Sequence, residues 1–303
     1  MEYTEYTDEK TETKICYSSF IPVEEEQAVE YHLIISPECG GSVEKQAIAI
    51  KAAYSEFLHE RGLTEDNEFF ARVFLSDAIN QIKAVNKVLD QKGNAFSLIE
   101  QAPLPDKKIS AWIWLVGGGG SMKKYSPDGI TTFRKGLKHI FSFGKTANFR
   151  DFSSGQTDYV FSKYTKLLTE QGMNLKDNVI RTWLFVRDID NNYEGVVAAR
   201  REFFKKHGLT KDTHYISSTG IEGKSFDPDQ LMIADIYAIK GIKREQIKFL
   251  SAANNLNPTH EYGVTFERGT TIDYADRKHI FISGTASIDN KGKIVAENDI
   301  MNQ

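Results

Sequence analysis

The sequence is poor in features that would place it in several large classes of protein. Its 303 residues include only two cysteines, Cys16 and Cys39, which is too few for a disulfide framework in a chain of this length. No apolar run approaches the roughly 20 residues that cross a bilayer. Residues 1–12 are acidic and polar, unlike a signal peptide. We therefore expect a cytoplasmic protein with no membrane contact.

The chain also lacks the charge that nucleic-acid binding requires. Its 38 lysines and arginines against 42 acidic residues give a net charge of −4, so nothing in the overall charge attracts a polyanion. No pair of histidines or cysteines has zinc-site spacing, and the run Gly117–Gly120 lacks the glycine-lysine-serine/threonine ending of a phosphate loop. We expect no metal, no cofactor and no nucleic-acid partner.

What the sequence does contain is an internal repeat. The aromatic and β-branched segment Phe69–Asp77 leads into an amphipathic run, and Val179–Asp188 does the same. Each segment follows a helical pattern, over 45–61 and 157–171, that stops at a glycine. Two further strand-like segments follow each copy. The sequence therefore predicts an α/β (α+β) fold in which the order strand, strand, helix, strand, helix, strand, strand occurs twice.

The repeat divides the chain into five segments. They are an acidic N-terminal tail (1–14), a first unit (15–116), a Gly-rich linker (117–136), a second unit (137–240), and a connector with the start of a third unit (241–303). His139–Gly144 opens the second unit and His279–Gly284 opens the third. We expect the third unit to be incomplete at Gln303, which would leave the apolar side of Ile280, Ile282 and Ile288 exposed.

The repeated motifs resemble the Rid superfamily, also called YjgF. Its members carry a strand ending in serine-glycine, a strand ending in leucine-x-aspartate and an acidic strand, which Phe281–Gly284, Phe74–Asp77 and Leu98–Pro105 match in part. The resemblance implies units with a mixed sheet backed by two helices, a pseudo-trimer when the third unit is complete, and ligand sites in clefts between units. It also implies possible self-association through the same faces. Some members are named ribonucleases, but this sequence has neither the basic stripe nor the aromatic stacking platform of an RNA-binding protein.

A narrower resemblance is to the chorismatase branch, which hydrolyses chorismate. It rests on Arg181–Trp183, the predicted helix from Tyr193 to Phe204, Tyr262–Gly263 and Ser283–Ser287. It implies a small-molecule hydrolase that takes chorismate or a related cyclic carboxylate, with a small anionic metabolite as the partner.

Two alternatives to a chorismatase-like hydrolase remain open. A Rid-type enamine/imine deaminase would bind its substrate carboxylate with an arginine on the fourth strand, where Phe96 and Tyr215 stand in the two complete units. The absence of that arginine from both complete units also favours a non-catalytic metabolite-binding protein. The serine of the serine-glycine pair is Phe143 in the second unit and persists as Ser283 in the third, so we expect one functional cleft.

Candidate binding residues surround that cleft. Ser283, Thr285 and Ser287 alternate along the predicted strand and would present three hydroxyls on one face. Arg268, on a strand predicted over 265–272, is the candidate anion-pairing group. Phe266 and Tyr262 are candidate apolar walls for the same cleft.

Three further residues complete the candidate site. Arg181 and Trp183 lie two residues apart on a strand, so they share a face that suits a cyclic carboxylate. Glu222, in a glycine-containing loop, is the candidate acid or base, although a strand-connecting turn has the same composition. The proton donor that enol-ether cleavage needs is otherwise expected beyond Gln303.

Overall fold

The protein is described by a computed structural model covering residues 1–22, 28–89, 96–103, 107–118, 122–126 and 129–303. The chain forms two compact units, one of Met1–Gly144 with Gly223–Pro228 and one of Lys145–Glu222 with Asp229–Gln303. None of the helices in these ranges combines the length and apolar character that a bilayer span requires.

The first unit is built on a six-stranded sheet. Its elements are β1 (Glu2–Asp8), β2 (Thr13–Phe20), β3 (Glu30–Pro37), α1 (Val43–Glu60), β4 (Glu68–Leu75), α2 (Ala78–Leu89), β5 (Ser97–Glu100) and β6 (Ile109–Val116). The strand order is β1-β2-β3-β6-β4-β5. Strands β4 and β5 run parallel because α2 connects them, and the other neighbours are antiparallel. β7 (Met122–Ser126), β8 (Gly129–Arg134) and β9 (Leu137–Lys145) then form an antiparallel meander.

The two faces of this sheet have different cores. On one face, β4 residues Ala71, Val73 and Leu75 belong to the hydrophobic cluster that α1 and α2 complete. The other face carries an aromatic cluster in which Phe69 lies 4.8 Å from Trp114, centroid to centroid. Burial on both faces explains why almost every residue of β4 is buried.

The second unit repeats the helix–strand–helix–strand–strand order. Its elements are α3 (Ser153–Glu170), the short α4 (Leu175–Asn178), β10 (Val179–Val186), α5 (Ile189–Lys206), β11 (Ser217–Glu222) and β12 (Met232–Lys240). β10 pairs in parallel with β11 and antiparallel with β12. A second sheet follows, with β13 (Ile247–Leu250), β14 (Gly269–Asp273) and β15 (Lys278–Ile282) in antiparallel order. The predicted mixed α/β fold with tandem units is confirmed.

The predicted helix ends are close to the observed ones. α1 begins after Ser42, whose side chain accepts a hydrogen bond from the Lys45 amide at 3.2 Å. α1 and α3 are followed by Gly62 and Gly172, with φ of 62° and 64°. Such left-handed backbone favours glycine, so these two residues terminate the helices.

Two segment predictions need correction. The predicted acidic tail over 1–14 contains β1, which pairs along its whole length with β2. The predicted linker over 117–136 contains β7 and β8, while residues 119–121 and 127–128 within it lie outside the described ranges. The exposed or half-exposed character of β1 and β7 explains both errors, because neither strand shows a strong apolar alternation.

The exposure predicted near the C-terminal part of the chain is found in part. Ile280 and Ile282 on β15 are 59% and 62% exposed. Ile288 is half-buried and forms an isolated antiparallel bridge with Ile294. At residues 299–303 the Asp299 carbonyl accepts hydrogen bonds from the Asn302 and Gln303 amides, both at 3.1 Å, and closes a single turn.

Candidate active site

The site is organised around strand β11 of the second unit, which carries three consecutive hydroxyl residues. Ser217 hydrogen-bonds to Thr270, and Thr219 accepts a bond from Arg181. Ser218 between them accepts from Thr182 at 2.8 Å and from the Nη1 of Arg200 at 3.2 Å. This alternation is that of a strand, and it places Ser217 and Thr219 on the opposite face from Ser218.

Ser283 joins three segments of this unit and is 4% exposed. Its Oγ accepts from the Ser218 amide at 2.9 Å and from Nη1 of Arg181 at 3.4 Å, and it donates to the Glu267 carbonyl at 2.5 Å. Thr219 Oγ1 in turn accepts from the Gly284 amide at 2.9 Å. The serine-glycine pair that the sequence singled out is therefore a buried hydrogen-bond junction.

Arg181 and Trp183 share a face of β10, as predicted. The guanidinium carbon of Arg181 lies 5.1 Å from the Trp183 ring centroid, within the range of a cation–π contact. Arg181 is 4% exposed. Its bonds to Thr219 and Ser283 fix the guanidinium beside the junction.

Arg268 immediately precedes β14 and lies near two aromatic side chains. Its guanidinium carbon lies 5.5 Å from the Tyr262 ring and 5.4 Å from the Phe266 ring. Nη2 donates to the Asn257 carbonyl at 2.8 Å and Nη1 to Thr285 Oγ1 at 3.4 Å. Its buried Nε has no acceptor among the described residues. The structure brings together Tyr262, Phe266 and Arg268, which the sequence predicts around one cleft.

Glu267 is the functional candidate that the sequence analysis missed. Its carboxylate lines a pocket of about 200 Å³ together with Arg268, Tyr215, His260 and Lys211. Oε1 accepts a hydrogen bond from the Tyr215 amide at 2.7 Å. Burial raises the pKa of Glu267 above its ordinary value, and the Tyr215 amide and His260 offset part of that rise. A carboxyl with a raised pKa that lines a pocket is suited to donate a proton.

Three predicted site residues lie elsewhere or are differently arranged. The extended strand ends at Ile282, so Ser283, Thr285 and Ser287 do not share one strand face as predicted. Thr285 is exposed and contacts Arg268, whereas Ser287 donates to the Val295 carbonyl at 3.0 Å. The chain leaves the strand here because Ser283 bonds to β11.

Glu222 lies at the start of α5, where both of its carboxylate oxygens accept backbone amides. Oε1 accepts from the Asp188 amide at 3.2 Å and Oε2 from the Ile189 amide at 2.8 Å. In the first unit, Glu100 accepts from the Ala78 amide at the start of α2 at 2.8 Å. The repeated contact identifies Glu222 as a helix cap, since a carboxylate neutralises the exposed amides and the helix dipole.

The capping role gives a testable prediction. Replacing Glu222 with alanine should lower the free energy of unfolding by about 1 kcal/mol, because the first amides of α5 lose their acceptor. Urea unfolding measures the change, and the same substitution at Glu100 is the matched control in the first unit. Loss of any enzymatic activity without loss of stability would contradict the capping assignment.

The described residues contain no group of three or more histidine, cysteine, aspartate or glutamate side chains placed to hold a metal ion. The polar groups of the site are instead three buried arginines (Arg181, Arg200 and Arg268), one carboxyl with a raised pKa, and hydroxyls from three segments. Such an arrangement is able to bind an anion and to supply a proton.

Comparison with known proteins identifies the fold. No family model matches the chain. A solved chorismatase is similar with a TM-score of 0.56 and 15% identity, covering 78% of this chain and 69% of that one. The chain therefore shares the fold of that chorismatase over most of its length.

Other similar proteins cover smaller parts. A YjgF-family protein from Neisseria meningitidis covers 41% of this chain and 98% of its own, with 16% identity and a TM-score of 0.33. One from Mycobacterium tuberculosis covers 38% and 85%, with 22% identity and a TM-score of 0.30. A probable carboxypeptidase of Uncinocarpus reesii is 25% identical over 97 residues, or 32% of this chain and 21% of that protein. The chain thus spans about a fifth of that curated relative.

Proposed function

We propose that the protein hydrolyses chorismate or a closely related cyclic enol-ether carboxylate. The observation that carries this proposal is the adjacency of Glu267, a carboxyl with a raised pKa, and Arg268, a buried arginine with an unused Nε, in the lining of one pocket. The chorismatase-like fold supports the same reaction class.

Arg268 is the group that would bind the substrate carboxylate. Its contacts with Asn257 and Thr285 hold the guanidinium in place before substrate arrives, so little conformational entropy is lost on binding. Phe266, which also lines the pocket and lies beside Arg268, would provide an apolar surface for a ring. An arginine that is always charged suits a carboxylate that is always ionised.

Glu267 is the group that would protonate the enol ether. Transfer of its proton to the terminal methylene carbon of the enolpyruvyl group gives an oxocarbenium ion. Water adds to that ion, and the resulting hemiketal breaks into pyruvate and a ring alcohol while a proton returns to Glu267. The net reaction is addition of water across the ether bond. Burial favours the protonated carboxyl that this first step needs.

Incubation of the purified protein with chorismate tests the proposal. Pyruvate release, followed through NADH consumption by lactate dehydrogenase, should be proportional to enzyme concentration and should yield one ring alcohol per pyruvate. Absence of pyruvate at high enzyme concentration would refute the proposed reaction.

Assays on the same purified protein distinguish two other functions from chorismate hydrolysis. A Rid-type enamine/imine deaminase is favoured by Arg181, whose guanidinium reaches Thr219 on β11 although that strand has no arginine of its own. It would release ammonia from imines generated in the assay and leave chorismate intact. A non-catalytic metabolite-binding protein would show a chorismate-induced rise in Tm without turnover.

A further inference from the structure

The first unit contains a cavity that the proposed reaction does not use. It lies between helix α1 and strands β4 and β6, and it has a volume of about 70 Å³, several times what one water molecule needs. Its walls are mainly apolar, formed by Ile50, Ala71, Val73, Leu89, Ala111 and Ile113. The polar groups on its lining come chiefly from Glu68, Tyr54, Lys51 and Glu65.

A buried carboxylate lies in the lining of this cavity. Glu68 is 6% exposed, and its Oε2 accepts a hydrogen bond from the Tyr54 hydroxyl at 3.0 Å. In the described part of the chain, Oε1 has no hydrogen-bond donor and no lysine or arginine forms an ion pair with Glu68. Lys123, whose charge acts on Glu68, donates from Nζ to the Glu65 carbonyl at 3.0 Å. Lys51, on the cavity lining, donates to the Val88 carbonyl at 2.9 Å. An isolated buried carboxylate is costly unless it is paired.

A local irregularity of β4 directs Glu68 to this side of the sheet. The pairing of β4 with β6 shifts register between Glu68 and Phe70. In a regular strand Glu68 would share a face with Phe70, which packs against Trp112 in the aromatic cluster. The extra residue moves Glu68 to the face of Ala71 and Val73, the two β4 residues that also line the cavity.

The repeat shows that the fold does not need an acid at this position. β10 of the second unit has the same register shift, between Val179 and Arg181. Val179 is the first residue of that strand, as Glu68 is of β4, and it is 3% exposed. The irregularity is therefore shared by both units, while the carboxylate belongs to the first unit alone. Since an apolar residue satisfies the packing, the acid calls for another explanation.

We propose that this cavity binds a small apolar amine, with the ligand's ammonium group paired to Glu68 and its hydrocarbon part against the cavity walls. The free Oε1 of Glu68 accepts a hydrogen bond from the ammonium, which gives the carboxylate a direct ion-pair partner. The Glu65 carboxylate on the same lining adds attraction for a cation. The half-buried Tyr54 and Lys51 and the exposed Ser55, which also line the cavity, place its opening at the surface of α1.

Titration calorimetry of the whole protein with isobutylammonium and benzylammonium chlorides tests this site. Isobutanol and benzyl alcohol are the neutral controls of the same shape. The wild type should bind at least one amine at millimolar concentration, about 10-fold or more tighter than the matching alcohol, a difference of about 1.4 kcal/mol. Absence of binding, or equal binding of amine and alcohol, would overturn the proposal.

Two variants locate the binding at Glu68. Glu68→Gln keeps the shape and removes the charge, and Glu68→Val installs the residue of the second unit. Both should lose amine affinity by about 10-fold or more, while Glu68→Val keeps or raises the Tm. Unchanged amine affinity in a folded variant would overturn the assignment. If a variant fails to fold, the wild-type comparison of amine with alcohol still decides. This test does not measure chorismate hydrolysis. The amine-binding proposal and the hydrolysis proposal can therefore fail independently of each other.

Discussion

Replacing Glu267 with glutamine is expected to lower kcat for chorismate hydrolysis by about 100-fold or more, because a positioned general acid contributes about 10²–10⁴ in rate. Glutamine preserves the size of the side chain but has no acidic proton to transfer to the enol ether. KM should change much less, since the proposed substrate contacts are those of Arg268 and the aromatic rings beside it. Steady-state measurement of pyruvate release separates the two constants.

Glu261→Gln is the matched control for this substitution. Glu261 is an exposed residue of the 3₁₀ turn Thr259–Tyr262, close in sequence to Glu267 but outside the pocket lining. Its replacement should leave both kcat and KM at wild-type values. A Glu267→Gln protein that retains wild-type kcat would remove Glu267 from the mechanism.

The largest effect on stability is expected from Ser283→Ala. The substitution leaves the Ser218 amide without its acceptor and the Glu267 carbonyl without the Ser283 donor. It also removes one contact of the buried Arg181 guanidinium. Because an unsatisfied buried polar group costs about 1–3 kcal/mol, we expect the free energy of unfolding to fall by about 2–3 kcal/mol. Urea unfolding followed by tryptophan fluorescence measures the loss.

Ser287→Ala separates this effect from the general cost of losing a hydroxyl. Ser287 makes one bond, to the Val295 carbonyl, in exposed surroundings. Its loss should change the free energy of unfolding by less than about 0.5 kcal/mol. Equal losses for Ser283→Ala and Ser287→Ala would show that Ser283 is not a special junction.

Local patterns in the sequence predicted much of the fold. The helical periodicity before Gly62 and Gly172 and the paired β segments reflect contacts between residues that are near in sequence or that repeat regularly. β1 escaped prediction because its side chains are exposed or half-exposed, so that its pairing with β2 leaves no apolar signature. The amino-acid composition of a strand that is stabilised mainly by backbone pairing gives little indication that it is a strand.

The sequence predicted Phe266 and Arg268 as residues of the candidate site but did not predict Glu267. Phe266 and Arg268 flank Glu267 in the sequence, and strand alternation predicts that Glu267 points away from the face they share. The raised pKa of Glu267 depends on burial in a pocket lined by Lys211, Tyr215 and His260, which come from other segments. A lone carboxylate inside an otherwise apolar and cationic run was the signal available in the sequence.

The prediction that Ser283, Thr285 and Ser287 share a face failed for a tertiary reason. Strand pairing of β15 with β14 ends at Ile282. Ser283 then bonds to the Ser218 amide, which lies 65 residues away in the sequence. No local periodicity in the sequence predicts a hydrogen bond between residues so far apart in the chain.

The measurement that tests the central claim most directly is the pH dependence of kcat for chorismate hydrolysis in the wild type and in Glu267→Gln. The general acid must be protonated, and burial raises the pKa of Glu267. The wild-type kcat should therefore be highest at low pH and fall as the pH rises through that raised pKa. The variant should show a low kcat without this limb. A variant that retains the same pH dependence would contradict the assignment of Glu267 as the proton donor.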